Sequence, residues 1–285
     1  MIWQQFANGL AIGSVYALIA LGLTMVYGVL RILHIAHAGV YVLGAYLGLL
    51  AFRLVPNFWL ALGAGMVGCA LAGIIIQRYL YMPLLALPRI VPLIASIGLF
   101  ISLEEVYRLI AGPYVISFPA NPGLGSIEWG IVRITNNQLL VFLVTFALLA
   151  ILWFIMSKTK LGLAMQATSQ DLETASVMGI NTERIIAVNF IIGSALAGAA
   201  GVLVGVYFNS VYPTMGSIPA YKALAIIVLG GLGSITGTVL GALLIGLGET
   251  LLIGLTNIPF PRDGLAFIIM ILILMFRPYG LLGKE

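Results

Sequence analysis

Residues 138–156 read QLLVFLVTFALLAILWFIM, residues 158–184 read KTKLGLAMQATSQDLETASVMGINTER, and residues 185–208 read IIAVNFIIGSALAGAAGVLVGVYF. The two outer runs are each long enough to cross a bilayer, which takes about 20 apolar residues of helix. The stretch between them is a polar island carrying Lys158, Lys160, Asp171, Glu173, Glu183 and Arg184. A water-facing segment of this size between two spans predicts a contact with another protein, so the question becomes what the membrane part is coupled to.

The same reading extends outward. The chain is 62% hydrophobic and 8% charged, with a mean hydropathy of +1.15. A soluble domain is about 45–50% apolar and about 25% charged, so a soluble core is excluded. Long apolar runs without two-residue alternation favour helices over a barrel. Apolar segments fall at 6–30, 38–55, 58–77, 90–112, 138–156, 185–208, 221–254 and 262–276. The first two are broken at Arg31–His37, and 221–254 is broken by GGLGSITG at 230–237. The expectation is an all-α polytopic membrane protein of about eight or nine spans with broken or re-entrant segments, forming a single domain over 1–285.

Lys and Arg set the orientation. Arg78 and Arg89 bracket one loop, Lys158, Lys160 and Arg184 flank the island, and Arg277 and Lys284 close the chain. One alternating topology makes all three cytoplasmic and leaves 113–137, with its Pro, Gly and Asn turn signals and Trp129, outside. The N-terminus falls outside if the break near residue 31 is a full turn and inside if it is re-entrant. Its residues, MIWQQFANGL, lack the basic start of a cleaved signal peptide. The net charge of +4 reports topology and not nucleic-acid binding. The 34 glycines suit close helix packing in lipid. A single cysteine, Cys69, excludes an internal disulfide framework.

Within the island, Thr168-Ser-Gln-Asp171 fits a helix start with a hydroxyl N-cap and an acidic residue three positions on. Leu172, Ala175 and Met178 then share a face, Gly179 closes the helix and Asn181 carries the turn. A helix of about ten residues is expected, too short and polar to span, lying along the membrane and filling a groove on a partner. Elsewhere, Gly39-Val-Tyr-Val-Leu-Gly-Ala weakly repeats Gly237-Thr-Val-Leu-Gly-Ala, which suggests internal repeats with the pathway at their breaks. His34 and His37 are three apart, but metal binding needs more ligands than the region supplies, so no metal is expected. Glu249 should face the bundle, a cavity or a partner, or else snorkel to the interface. Glu104 and Arg108 are spaced to pair along one helix. Tyr41, Tyr46 and Met25 are further candidates for lining a path.

The island resembles the coupling helix of a binding-protein-dependent ABC importer permease. More narrowly, the chain resembles the high-affinity branched-chain amino acid permease family, of the LivH kind. The matching stretches are LAIGSVYALIALGLTMVYGVL at 10–30, HIAHAGVYVLGAY at 34–46, DLETASVMGINTERIIAVNFIIGSALAGAAGVL at 171–203, LGGLGSITGTVLGALLIGLGE at 229–249 and RPYGLLG at 277–283. The resemblance implies the inverted-repeat fold of ribose and vitamin importers. It also implies a second related permease (a homodimer being the alternative), two cytoplasmic ATPases using ATP and Mg, a periplasmic substrate-binding protein and a bacterial inner membrane. No GxxxxGK[ST] phosphate loop is present, so the chain is expected to be no enzyme and to bind no cofactor itself. ATPase coupling then falls to Thr168, Asp171, Leu172, Glu173, Ala175, Met178, Gly179 and Ile180. Pathway candidates are His34, His37, Gly39, Tyr41, Gly230, Gly231, Gly233 and Ser234.

The pattern departs from the family at one place. The family usually carries Asn-Phe-Ala-His-Gly-Glu where this chain has His34-Ile-Ala-His37-Ala38-Gly39. Losing a carboxylate there leaves open a substrate without an amino group, or a carboxylate that only packs in relatives. The expected substrates are branched-chain or hydrophobic amino acids or related small carboxylates, with urea, amides and aromatic acids as alternatives. An ion-coupled transporter and an intramembrane enzyme are the rival classes. The first leaves the island unexplained, and the second needs a nucleophile or metal set in the bilayer that the sequence does not supply.

Overall fold

The computed structural model describes residues 2–120, 127–129, 132–256, 262–277 and 280–282. Lys284 and the side chain of Trp129 lie outside the described residues. The membrane part is helical: α1 (Ile2–Leu30), α2 (His37–Leu54), α3 (Phe58–Ile76), a π-turn at Gln77–Tyr81, α4 (Met82–Leu84), α5 (Ile90–Ala111), α6 (Asn136–Lys158), α7 (Lys160–Gln170), α8 (Leu172–Val177), α9 (Thr182–Tyr207), α10 (Ser217–Gly230), α11 (Ile235–Thr256) and α12 (Arg262–Phe276). Eight helical stretches among the described residues are long and apolar enough to cross a bilayer, and Ala266–Phe276 is a shorter ninth. The turn-rich segment after α5 adds a hairpin the sequence reading did not anticipate. Its strands, β1 (Ile127–Trp129) and β2 (Val132–Ile134), pair antiparallel with Ile127 opposite Ile134.

Chain direction follows from the contacts. Arg31, just past α1, donates from its guanidinium to the carbonyls of Ser169 and Gln170 at 3.4 and 3.3 Å, so α1 ends on the island side. Asn8, near its start, accepts from Gln138 at 2.9 Å, at the opposite end of α6. The chain reverses over 31–36, so the N-terminus lies on the far side from the island. The loop before α5, the island and the end of α12 then share one side, as the Lys and Arg distribution requires.

Packing relates the two halves by inversion. The first half is α1, α2, α3 and α5; the second is α9, α10, α11 and α12, running in the opposite sense. Helix α1 packs on α11 as α9 packs on α3, and α2 lies between α9 and α3 as α10 lies between α1 and α11. The equivalent helices are therefore α2 with α10 and α3 with α11. This corrects the pairing suggested by Gly39-Val-Tyr-Val-Leu-Gly-Ala and Gly237-Thr-Val-Leu-Gly-Ala, which lie in the non-equivalent helices α2 and α11. A Leu-Gly-Ala run marks close packing wherever it occurs. At Gly44, a Cβ would strike the backbone of Gly198 in α9. Two such glycines let α2 and α9 cross in contact, where van der Waals packing replaces the hydrophobic drive lost in lipid.

Candidate functional site

Two helices begin inside the protein. The His37 ring, at the first residue of α2, lies against Gly22 of α1, eight residues before that helix ends, or about 12 Å at 1.5 Å per residue. Ser96 Oγ accepts from the Ala36 amide at 2.9 Å, and Tyr107 donates to the Gly39 carbonyl at 2.9 Å. These bonds from α5 hold the start of α2 at that depth. In the inverted half, the stretch 208–216 turns back into the bundle, where Gly216 packs against Ala38 and Val42 of α2. A 3-10 turn, Pro213–Gly216, leads straight into helix α10 there. The N-termini of α2 and α10, each carrying a partial positive charge, thus meet in the middle of the fold.

A cavity of about 410 Å³ opens beside this meeting point on the far side. Its walls include Ile12, Val15 and Ile19 of α1, Tyr41 of α2, and Met215 and Lys222 beside or within α10. Lys222 and Glu249 are buried, 3% and 2% exposed. The Lys222 ammonium stands 2.9 Å from Glu249 Oε2 and donates to Tyr16 Oη at 2.8 Å. Tyr16 in turn donates to Glu249 Oε2 at 3.3 Å. Two opposite charges and a hydroxyl so closed are a condition for keeping ions in an apolar interior. A second cavity, of about 970 Å³, opens on the island side between Thr24, Met25, Arg31, Gln166, Asn189 and Gly233.

The island folds back tightly on α6. Thr159 caps α7 by accepting from the Gly162 amide at 3.1 Å, and Gly162 lies against the Ile155 and Met156 carbonyls. The helix start expected at Thr168 is corrected: Thr168 is buried inside α7 and donates to the Ala164 carbonyl at 2.7 Å. The next cap is Asp171, whose Oδ1 accepts from the Thr174 amide at 2.6 Å. That bond holds the Asp171 carboxyl below its ordinary range, with the nearby Arg31 charge a smaller cause. Helix α8 therefore has six residues and not about ten. Gly179 closes it at φ +87°, with Ile180 bonded back to the Ala175 carbonyl at 3.0 Å. Asn181 caps α9, accepting from the Arg184 amide at 3.0 Å. The expected common face also divides, because Ala175 is buried while Met178, past the helix end, is 78% exposed. Val177, 82% exposed, joins Met178 and Glu173 in the outward surface; the three-residue spacing concealed it.

The family model described as the permease component of the branched-chain amino acid transport system matches residues 5–275. This chain belongs to that family. BraD of Pseudomonas aeruginosa, a high-affinity branched-chain amino acid transport system permease protein, is 38% identical, covering 99% of this chain and 95% of its own. LivH of Escherichia coli K12 is 35% identical over the same shares. LivM of the same organism is 27% identical, covering 94% of this chain and 68% of its own. Among solved structures, PsaBC from Streptococcus pneumoniae in complex with a Fab superposes with a TM-score of 0.50 at 13% identity, covering 94% and 89%; this likeness concerns the fold alone. Members of this family are membrane permease components and not themselves catalytic.

Within this permease the sequence-derived candidates separate. Tyr41 lines the far-side cavity, and Gly233 and Met25 line the island-side one. Gly230, Gly231 and Ser234 form instead the turn between α10 and α11. There Gly230 packs on Gly237 backbone, Gly231 takes φ 104° and Ser234 Oγ accepts from the Gly237 amide. The break expected at 230–237 is thus present as this turn, whose Gly233 borders the island-side cavity; the second half also turns back into the bundle at 208–216, a further break that the sequence reading did not name. His34 bonds Tyr81 Oη through Nδ1 at 2.7 Å, and with His37 it borders a void of only about 10 Å³. A side chain at Gly39 would meet Leu103 of α5, which borders neither cavity. Tyr46 packs on the Tyr107 ring at 5.6 Å. Glu104 pairs with Arg108 at 3.5 Å as its spacing suggested. Sequence reasoning missed Lys222. It and Glu249 are the only charges in 221–254, and a lone cation in an apolar run calls for an anion nearby.

Proposed function

We propose that this chain is the translocation subunit of an ATP-driven, binding-protein-dependent importer of branched-chain and related hydrophobic amino acids in a bacterial inner membrane. The observation that carries the proposal is the full-length relation to BraD and LivH, both permease proteins of high-affinity branched-chain amino acid transport systems. The island faces the cytoplasm in this reading, supported by Arg31, Arg89, Lys158, Lys160, Arg184 and Arg277 on its side. The surface of Glu173, Val177 and Met178 docks on one of two ATPase subunits, which bind ATP and Mg. A second permease completes the membrane part, and the similarity to both LivH and LivM supports a related but different chain there. A periplasmic protein delivers the substrate to the far side.

Mechanistically, ATP binding moves α7 and α8, and Arg31 transmits that motion to the turn between α1 and α2. The two halves then re-orient around the converging starts of α2 and α10. Position 39 gives no reason to expect an organic acid, because its side chain would pack against Leu103. The test is uptake into liposomes holding the whole complex, with loaded binding protein outside and ATP inside. Leucine, isoleucine and valine should accumulate only with ATP. Uptake driven by an ion gradient without ATP, or accumulation of urea, amides or aromatic acids in place of leucine, would overturn the proposal.

A further inference from the structure

The far-side cavity combines features that the importer reading does not by itself explain. Its walls are mostly apolar, and at about 410 Å³ it lies within the usual range for small-molecule sites, about 300–1,000 Å³. Lys222 is the one ion among its described lining residues, held by Glu249 at 2.9 Å and by Tyr16, itself a lining residue, at 2.8 Å. Tyr41 also lines it, fully buried, and its hydroxyl finds no hydrogen-bond partner among the described residues. A buried hydroxyl without a partner is costly, and beside a cavity of this size it points to a ligand. Helix α10 and the 3-10 turn Pro213–Gly216 that leads into it border the same space through Met215, Ile218 and Pro219.

We propose that this cavity holds the transported amino acid as a zwitterion, its carboxylate on Lys222, its ammonium on the Tyr41 hydroxyl oxygen and its side chain against Ile12, Val15 and Ile19. The inference rests on the importer reading and names the site and the substrate class. Charge balance selects the class. Lys222 and Glu249 sum to zero, and a zwitterion adds no net charge to the enclosure. A monocarboxylate would add one uncompensated negative charge, and an amine one positive, each costly in an apolar surround. Glu249 keeps the site neutral and Lys222 fixed; it is a positioning residue.

The experiment measures leucine carried per ATP hydrolysed by the complete complex in liposomes, a ratio that falls only if the substrate path is damaged. Tyr41→Phe should lower it about tenfold, the fold-change of one lost hydrogen bond to a charged group. The neutral pair Lys222→Met with Glu249→Gln, which leaves no buried charge unmatched, should lower it at least as much. Tyr46→Phe removes another buried hydroxyl without a partner among the described residues, outside the cavity, and should keep the wild-type ratio. Binding of labelled leucine to the complex in nanodiscs without binding protein supplies the second measurement. Leucine should compete, whereas 4-methylpentanoate, which lacks the amino group, and 3-methylbutylamine, which lacks the carboxylate, should compete at least tenfold more weakly. Wild-type ratios in both cavity variants, or equal competition by 4-methylpentanoate, overturn the inference while leaving the importer reading standing. Absence of ATP-dependent leucine uptake by the unaltered complex overturns that reading instead.

Discussion

Replacing Lys222 by Met and Glu249 by Gln, singly and together, tests whether the ion pair behind the cavity is ionised and closed. The side chains are 4% and 2% exposed and 2.9 Å apart. At an effective dielectric constant near 20, two unit charges at that distance attract by about 6 kcal/mol, much of which offsets the cost of leaving water. Either single change strands the surviving charge in an apolar bundle, for which a loss of roughly 3–5 kcal/mol is expected. The double change removes both charges at nearly constant volume and should cost about 1 kcal/mol or less. Two single losses of about 3 kcal/mol against a double loss of about 1 give a coupling energy of about 5 kcal/mol. Unfolding in mixed micelles with a rising fraction of dodecyl sulfate, followed by tryptophan fluorescence, measures all four proteins. Single losses below about 1 kcal/mol that add in the double variant would refute the reasoning, because a pair already neutral in the wild type gives that pattern.

Gly44→Val should destabilise strongly, by about 3 kcal/mol or more, because its side chain would enter the backbone of Gly198. Gly98→Ala, with open space at its Cβ, should raise helix stability by up to about 1 kcal/mol, and the same micelle titration compares them. Val177→Asp with Met178→Asp should abolish co-purification of the ATPase subunits while leaving the permease's own unfolding midpoint unchanged; retained co-purification would place the contact elsewhere. For Asp171 the sign runs with its lowered carboxyl. The cap on α8 is fully present above the ordinary aspartate value, about 3.9, and is lost as pH falls through the lower folded value. Exchange protection of the Thr174 amide, corrected for intrinsic rate, should therefore drop on acidification, and Asp171→Asn should remove that pH dependence.

The spans, and which charged loops share a side, were legible, because run length sets the span and Lys/Arg placement groups the loops. The capping chemistry of the island was half legible. Asp171 and Thr168 both carry capping groups, and only the tertiary fold decides that α7 runs through Thr168 to Gln170. The breaks at 31–37 and 230–237 were both legible, and the re-entrant turn at 208–216 was not. Glycine announces the break at 230–237, whereas the turn at 208–216 is written in Asn209-Ser210 and Pro213 between aromatic residues. Position 39 was open between substrate recognition and packing, and its Cβ direction toward Leu103 depends on which neighbour packs there, which the sequence does not carry.

Lys222 shows the deeper limit. An apolar average over 221–254 dilutes one cation and one anion 27 residues apart into insignificance, yet the bilayer weighs each charge singly. The fold spends two helices, α10 and α11, to bring that pair together, and α1 contributes Tyr16 to close it. Such an arrangement could serve stability alone, but then the pair would gain most by being sealed from all sides. Instead Lys222 borders a cavity large enough for a small molecule, as does Tyr41, whose hydroxyl has no partner among the described residues. Stability alone does not account for an ion kept charged at the edge of empty space, whereas a carried zwitterion accounts for both the ion and the hydroxyl.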